Sequence, residues 1–170
     1  MEFIKGMDIS MVKELEYYGA SYRLNGKEED LFHLLHECGT NMVRIRIWPD
    51  PYDEKGNSYG GGGNDLQTTI EIARRTVECG MDFMLDFHYS DFWADPAKQV
   101  KPKAWKELSG QALETAVYLH TLDTLKTLKN QKLVPAMVQV GNEITKGLLW
   151  PDGYVAVSYT HLTLPTKRIV

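Results

Sequence analysis

At 170 residues, 43% hydrophobic and 25% charged, the chain is long and apolar enough to bury one core. Its net charge of −4 offers no electrostatic footprint for a phosphate backbone or an anionic bilayer, so neither a nucleic-acid nor a membrane partner is expected. No run reaches the roughly 18 apolar residues of a membrane span, and the opening MEFIKGMDIS lacks the apolar core of a secretion signal.

In chain order, FIKGMDIS reads as a first strand. In residues 28–48, EEDLFHLLHECGTNMVRIRIW, Leu31, Leu34, Leu35 and Cys38 fall at i, i+3, i+4 and i+7; Gly39 ends that helix and MVRIRIW forms the next strand. The phrase recurs over residues 64–89, where Leu66, Ile70, Ala73 and Val77 mark a helix face, Gly80 stops it and MDFMLDFHY follows. A looser third copy has Ser109 as cap, Leu113, Val117, Leu125 and Leu128 as the apolar face, and the strand AMVQVGNEI after Pro135. Cys38 and Cys79, the two cysteines, sit in the same Glu-Cys-Gly phrase at helix ends. They read as buried thiols rather than a disulfide or metal pair, because no Cys-x-x-Cys or histidine cluster accompanies them.

Four strands separated by helices imply right-handed crossovers and a parallel sheet, either doubly wound or part of a (β/α)8 barrel. Polar residues favour the barrel. Val43, Ile45 and Ile47 face one side and Arg44 and Arg46 the other, while Met84, Asp86 and His88 alternate with Leu85 and Phe87. Such charges are costly under a covering helix but suit a barrel mouth. The fold class expected is α/β, the N-terminal half of a (β/α)8 TIM barrel of about four β/α units.

Each strand ends on a chemically capable cluster: Asp8 and Ser10; Arg46 and Trp48; His88, Tyr89, Asp91 and Trp93; Asn142 and Glu143. In a parallel barrel these ends share one rim, where active sites lie. An isolated Asn-Glu pair could merely cap the next helix. With arginine, histidine and aromatic neighbours, Glu143 instead becomes a candidate general acid/base. Trp48, Tyr89, Phe92, Trp93 and Trp150 offer flat rings beside hydrogen-bonding groups, a combination that suits sugars, although each ring taken singly is more often core. The GGGG of residues 60–63 is no phosphate loop, since no Gly-Lys-Ser/Thr follows, and it reads as a flexible loop over the rim.

The phrases FIKGMDIS, MVRIRIWPDP, MDFMLDFHYSDFWADPAKQVKPKAW and MVQVGNEITKGLLWPDG resemble family 53 of the glycoside hydrolases, the arabinogalactan endo-β-1,4-galactanases, over residues 3–153. The resemblance implies a retaining enzyme cutting β-1,4-galactan, with one glutamate protonating the leaving oxygen and a second, about 5 to 5.5 Å away, forming a glycosyl-enzyme intermediate. It implies Glu143 as the acid/base, Asn142 on the sugar 2-hydroxyl, Arg46 orienting the nucleophile, and His88 and Trp93 lining the same subsite. Tyr89, Asp86, Trp48 and Asp8 join the substrate-binding candidates, with Asp8 and Asp86 also readable as structural partners of the two arginines. No cofactor and no metal site are expected; nothing in the chain has the spacing of a Ca²⁺ loop. Such enzymes usually work outside the cell, yet no secretion signal precedes Phe3, so localisation stays open.

The second glutamate belongs to the seventh strand of such enzymes, and no residue here matches it. Residues 154–170, YVAVSYTHLTLPTKRIV, contain no Asp or Glu and lack the helical face that the repeat calls for next. The expectation is therefore a half barrel over residues 1–153, a non-native tail over 154–170, and a chain that hydrolyses nothing alone. Two other readings stay open: a retaining mannanase, xylanase or glucanase, and a non-catalytic carbohydrate-binding half barrel.

Overall fold

Alternation of apolar and polar residues builds the centre of the molecule. In the computed structural model, which describes residues 3–156, β1 (Gly6–Asp8) leads into α1 (Val12–Tyr17), then a hairpin of β2 (Tyr22–Leu24) and β3 (Lys27–Glu29), followed by α2 (Leu31–Glu37) and β4 (Met42–Ile47). Next come α3 (Leu66–Glu78), β5 (Asp82–Phe87), α4 (Gly110–Asn130) and β6 (Met137–Val140), and a short hairpin of β7 (Gly147–Leu148) and β8 (Gly153–Tyr154). The main sheet runs β1-β4-β5-β6 with every neighbour parallel. These are four successive β/α units, the arrangement of half a (β/α)8 barrel.

Val43, Ile45 and Ile47 on β4 and Phe83, Leu85 and Phe87 on β5 are all essentially closed to solvent. They pack with Ile70 and Ala73 of α3 and Leu113 and Leu128 of α4 in one core. Burying an aliphatic or aromatic side chain of this size is worth about 1.5–3 kcal/mol, so this layer carries most of the stability of the sheet. Two helices start on side-chain caps: Asp30 accepts from the backbone N–H groups of Phe32 and His33, and Asp65 from that of Thr68. Ser109 occupies the cap position of α4, but its hydroxyl makes no capping bond.

Several local expectations shift. Cys38 is exposed and Cys79 half-buried, and both are free thiols, so they are not the buried pair that the repeat suggested. The buried residues of α2 are Phe32 and Leu35, which join the core and leave Cys38 on the outer side, and the Arg75 guanidinium lies 4.2 Å from the Phe32 ring centroid. On α3, Val77 is exposed while Thr69, Ile72 and Thr76 join Ile70 and Ala73 in the interior. The two hairpins were not anticipated; strands of two or three residues carry no periodicity to read. Residues 157–170, most of the segment expected to be foreign, lie outside the described residues.

Candidate active site

Because side chains alternate along a strand, Asp8, Arg44, Arg46, Asp86 and Asn142 meet on the face opposite the helices. Register brings Asp8 beside Arg44, and Arg46 beside Asp86. Arg44 is the hub of a network: one guanidinium nitrogen donates to Asp8 Oδ2 at 2.7 Å, the other to Asp86 Oδ2 at 2.5 Å and to Asn142 Oδ1 at 2.9 Å. Asp8 also accepts from the Ser10 hydroxyl at 2.7 Å, whose oxygen in turn accepts from the Arg46 backbone N–H. Burial pushes the Asp8 carboxyl up, but the Ser10 hydroxyl and the Arg46 charge outweigh it and hold it below the usual carboxylate range. Burial likewise lowers Arg46, with Asp8 and Asp86 opposing.

Inside this network several polar atoms remain without a hydrogen-bond partner: Arg46 Nε, Asp86 Oδ1, His88 Nε2 and Trp48 Nε1. His88 Nδ1 accepts from the Ala94 backbone N–H, which leaves Nε2 3.1 Å from Asp86 Oδ2 without the alignment of a hydrogen bond. Buried polar groups left unpaired cost stability, and their concentration at one end of a sheet is a mark of a binding site.

Strand β6 ends at Val140, and the chain then turns through two residues with left-handed backbones, Gly141 at φ 87° and Glu143 at φ 49°. At Gly141 any Cβ would fall 2.6 Å from Ile144 Cγ2, so the turn requires glycine. Asn142 between them is buried and fixed on both sides: its Oδ1 accepts from Arg44, its Nδ2 donates to Ala94 O at 2.7 Å, and its backbone carbonyl accepts from Gln99 at 2.8 Å. Glu143 itself is exposed, and its side chain has no hydrogen-bond or ion-pair partner among the described residues.

The rings divide into two groups. Trp93 is 36% exposed, and the Arg46 guanidinium lies 4.1 Å from its ring centroid, leaving an aromatic surface beside His88 at 5.8 Å. Trp48 is on the same side but fully buried, packed against Trp93, Phe92 and His88. Tyr89 is turned away from the mouth: its ring stacks on Phe87 and its hydroxyl pairs with Thr121 of α4. Its position shares parity with Leu85 and Phe87, a signal already in the sequence. Trp150 packs edge-on to Tyr154, its indole N–H donating to Lys146 O.

The glycine loop is packed rather than free. Gly62 is buried and donates to Glu14, Gly61 O accepts from Arg46, and a Cβ at Gly61 would sit 3.0 Å from the Trp48 ring. Left-handed φ values at 60–63 and this close approach explain the four glycines. Gln99 and Gln139 are the residues that sequence reasoning passed over; Gln139 also reaches Asn142 Oδ1, at 3.3 Å. Alternation placed Arg44 on the face of Arg46, but its bond to Asn142, 98 positions along the chain, has no local signal. Among the described residues no group of three or more His, Cys, Asp or Glu is arranged to hold a metal ion, and no helix is long and apolar enough to cross a membrane.

A parallel half barrel with charged and aromatic side chains gathered at the carboxyl ends of its strands belongs to the class of barrel proteins that meet their ligands there. Comparison with known proteins narrows the class. The chain belongs to glycosyl hydrolase family 53, whose profile matches residues 4–164. It is 51% identical over 147 residues to the endo-beta-1,4-galactanase of Bacillus subtilis, covering 86% of this chain and 34% of that one. It is 42% identical over 142 residues to the arabinogalactan endo-beta-1,4-galactanase of Cellvibrio japonicus, covering 83% and 36%. Among solved structures, the GH53 catalytic domain of Ignisphaera aggregans superposes with a TM-score of 0.86 at 48% identity, covering 89% of this chain and 42% of that one. The chain thus spans between about a third and just over two fifths of the length of the relatives it matches.

Proposed function

We propose that this chain carries the acid/base half of a retaining endo-β-1,4-galactanase. The observation that carries the reading is the pinned Asn142 followed by an exposed Glu143 at the carboxyl end of β6. The substrate class comes from the relatives, two of which bear the name endo-beta-1,4-galactanase. In this reading Glu143 protonates the glycosidic oxygen as the bond to the sugar anomeric carbon breaks, and later takes a proton from the attacking water. Asn142, held by Arg44, presents its remaining amide hydrogen to the 2-hydroxyl of the sugar next to the cleaved bond. Trp93 and His88 line that subsite, and Arg46, lying over Trp93, orients the nucleophile carboxylate, which the retaining mechanism requires about 5 to 5.5 Å from Glu143. We assign that carboxylate to the seventh strand of a completed barrel.

The test joins residues 1–153 to the C-terminal portion of the Bacillus subtilis relative. The chimera should release reducing sugar from β-1,4-galactan, and Glu143→Gln should lower kcat about 100- to 10,000-fold. The 170-residue chain alone should release none; release by it that Glu143→Gln abolishes would overturn the division into halves. Faster cleavage of mannan, xylan or glucan than of galactan would overturn the substrate.

A further inference from the structure

The aromatic surface at the mouth does not stop at Trp93. Phe92 lies 6.4 Å from it, centroid to centroid, and Tyr59 a further 6.2 Å beyond Phe92. This run of rings opens into a cleft of about 320 Å³ whose walls combine Tyr59 and Phe92 with four lysines, Lys98, Lys101, Lys103 and Lys106. Lys98 Nζ sits 5.6 Å from the Phe92 ring centroid and Lys103 Nζ 5.4 Å from that of Tyr59. Lys103 is already neutralised by Asp50 at 2.8 Å and Asp91 at 3.8 Å, and Lys101 by Asp152 at 2.8 Å. Lys98 and Lys106 are exposed and make no ion pair among the described residues. Two uncompensated cations over a concave aromatic wall, in a chain of net charge −4, make a local field opposite in sign to the protein as a whole.

A ligand for such a cleft needs an apolar face for the rings and a negative charge at its edge. An inorganic anion lacks the first and a neutral sugar the second; a pyranose bearing a ring carboxylate has both. We propose that this cleft is a subsite for a uronic acid residue, placed along the aromatic run from the mouth, so that the protein engages galactan attached to an acidic polysaccharide. The placement rests on the galactanase reading above; binding in the cleft does not require cleavage. The exposed ammonium groups keep their hydration, so the interaction is weak, additive per charge and sensitive to salt.

The probe is a galacturonate trisaccharide titrated calorimetrically into the 170-residue chain, with galactotriose as the neutral control. The acidic ligand should bind more tightly than galactotriose, and should weaken roughly five-fold when ionic strength rises from about 0.01 M to about 0.15 M. The double variant Lys98→Glu/Lys106→Glu should bind it at least about ten-fold more weakly, at roughly five-fold per charge, with an unchanged circular dichroism spectrum. Equal affinity for acidic and neutral ligands, equal affinity of the double variant, or displacement by inorganic phosphate at the same concentration would overturn the proposal, the last by revealing a generic anion site. A chimera that cleaves galactan while the acidic ligand fails to bind sinks the subsite alone. Binding with no hydrolysis by the chimera sinks the galactanase reading alone.

Discussion

Strands β5 and β6 are neighbours in one sheet, both are apolar runs, and they meet different surroundings. Leu85 and Phe87 on β5 stand opposite Val138 and Val140 on β6 in register. The first two are fully buried; Val138 is 40% and Val140 60% exposed. On the outer strand β1, Met7 is 49% exposed, where its register partner Val43 is closed to solvent. The central strands owe their burial to α3 and α4, while the outer strands have the same composition without the same cover. Apolar sequence therefore records the layer a strand is built to lie under, whether or not that layer is among the described residues.

The largest effect expected from this contrast is in packing. Leu85→Ala should cost about 2–5 kcal/mol in urea unfolding, whereas Val138→Ala, across the ladder, should stay within about 0.5 kcal/mol. Equal costs would erase the distinction between centre and edge. Next comes the tie that links the centre to both edges, since Arg44 on β4 holds Asp8 of β1 and Asn142 after β6. Arg44→Leu should destabilise by about 3 kcal/mol, because it strands the fully buried Asp86 carboxylate. A loss no larger than that of an exposed arginine would show that the network is not buried in solution.

A smaller effect separates by pH. His120 on α4 packs against Phe87, Tyr89 and Trp105, and burial holds it below its ordinary value of about 6.5. Its folded value lies below the unfolded one, so the stability of the neutral form is present above about pH 6.5 and is lost as pH falls below it. The lowered carboxyls Asp8 and Asp30 lose theirs only below about pH 4. Thermal melts should therefore decline between about pH 6.5 and pH 5, and His120→Phe should flatten that segment. An undiminished slope would exclude His120. Smallest of all is a contrast in labelling: exposed Cys38 should react with a thiol reagent faster than Cys79, whose thiol burial pushes up, and neither modification should shift the melt.

The repeat of helix, glycine and strand was legible because each part is local: a 3.6-residue stripe, a left-handed glycine at 39 and at 80, then a two-residue alternation. Alternation also put Arg44, Arg46, Asp86 and His88 on one face, which is how the mouth could be read at all. What failed depended on neighbours. In the seven-residue helix α2 the stripe is too short to fix its own phase, and the packing of Phe32 and Leu35 into the core accompanies a different one. The glycine run looked mobile because composition does not register that Trp48 and Ser10 press against it. Tyr89 was placed by its position next to His88, when its parity with Phe87 carried the better information.

Glu143 keeps its backbone at φ 49°, a region that asparagine and glycine enter far more easily than glutamate. In the acid/base role proposed for it, a side chain held there at an energetic disadvantage of about 1 kcal/mol or more trades durability for chemistry. Glu143→Asn relaxes that backbone and removes the carboxylate, so the chain should melt slightly higher while the chimera loses its cleavage of galactan.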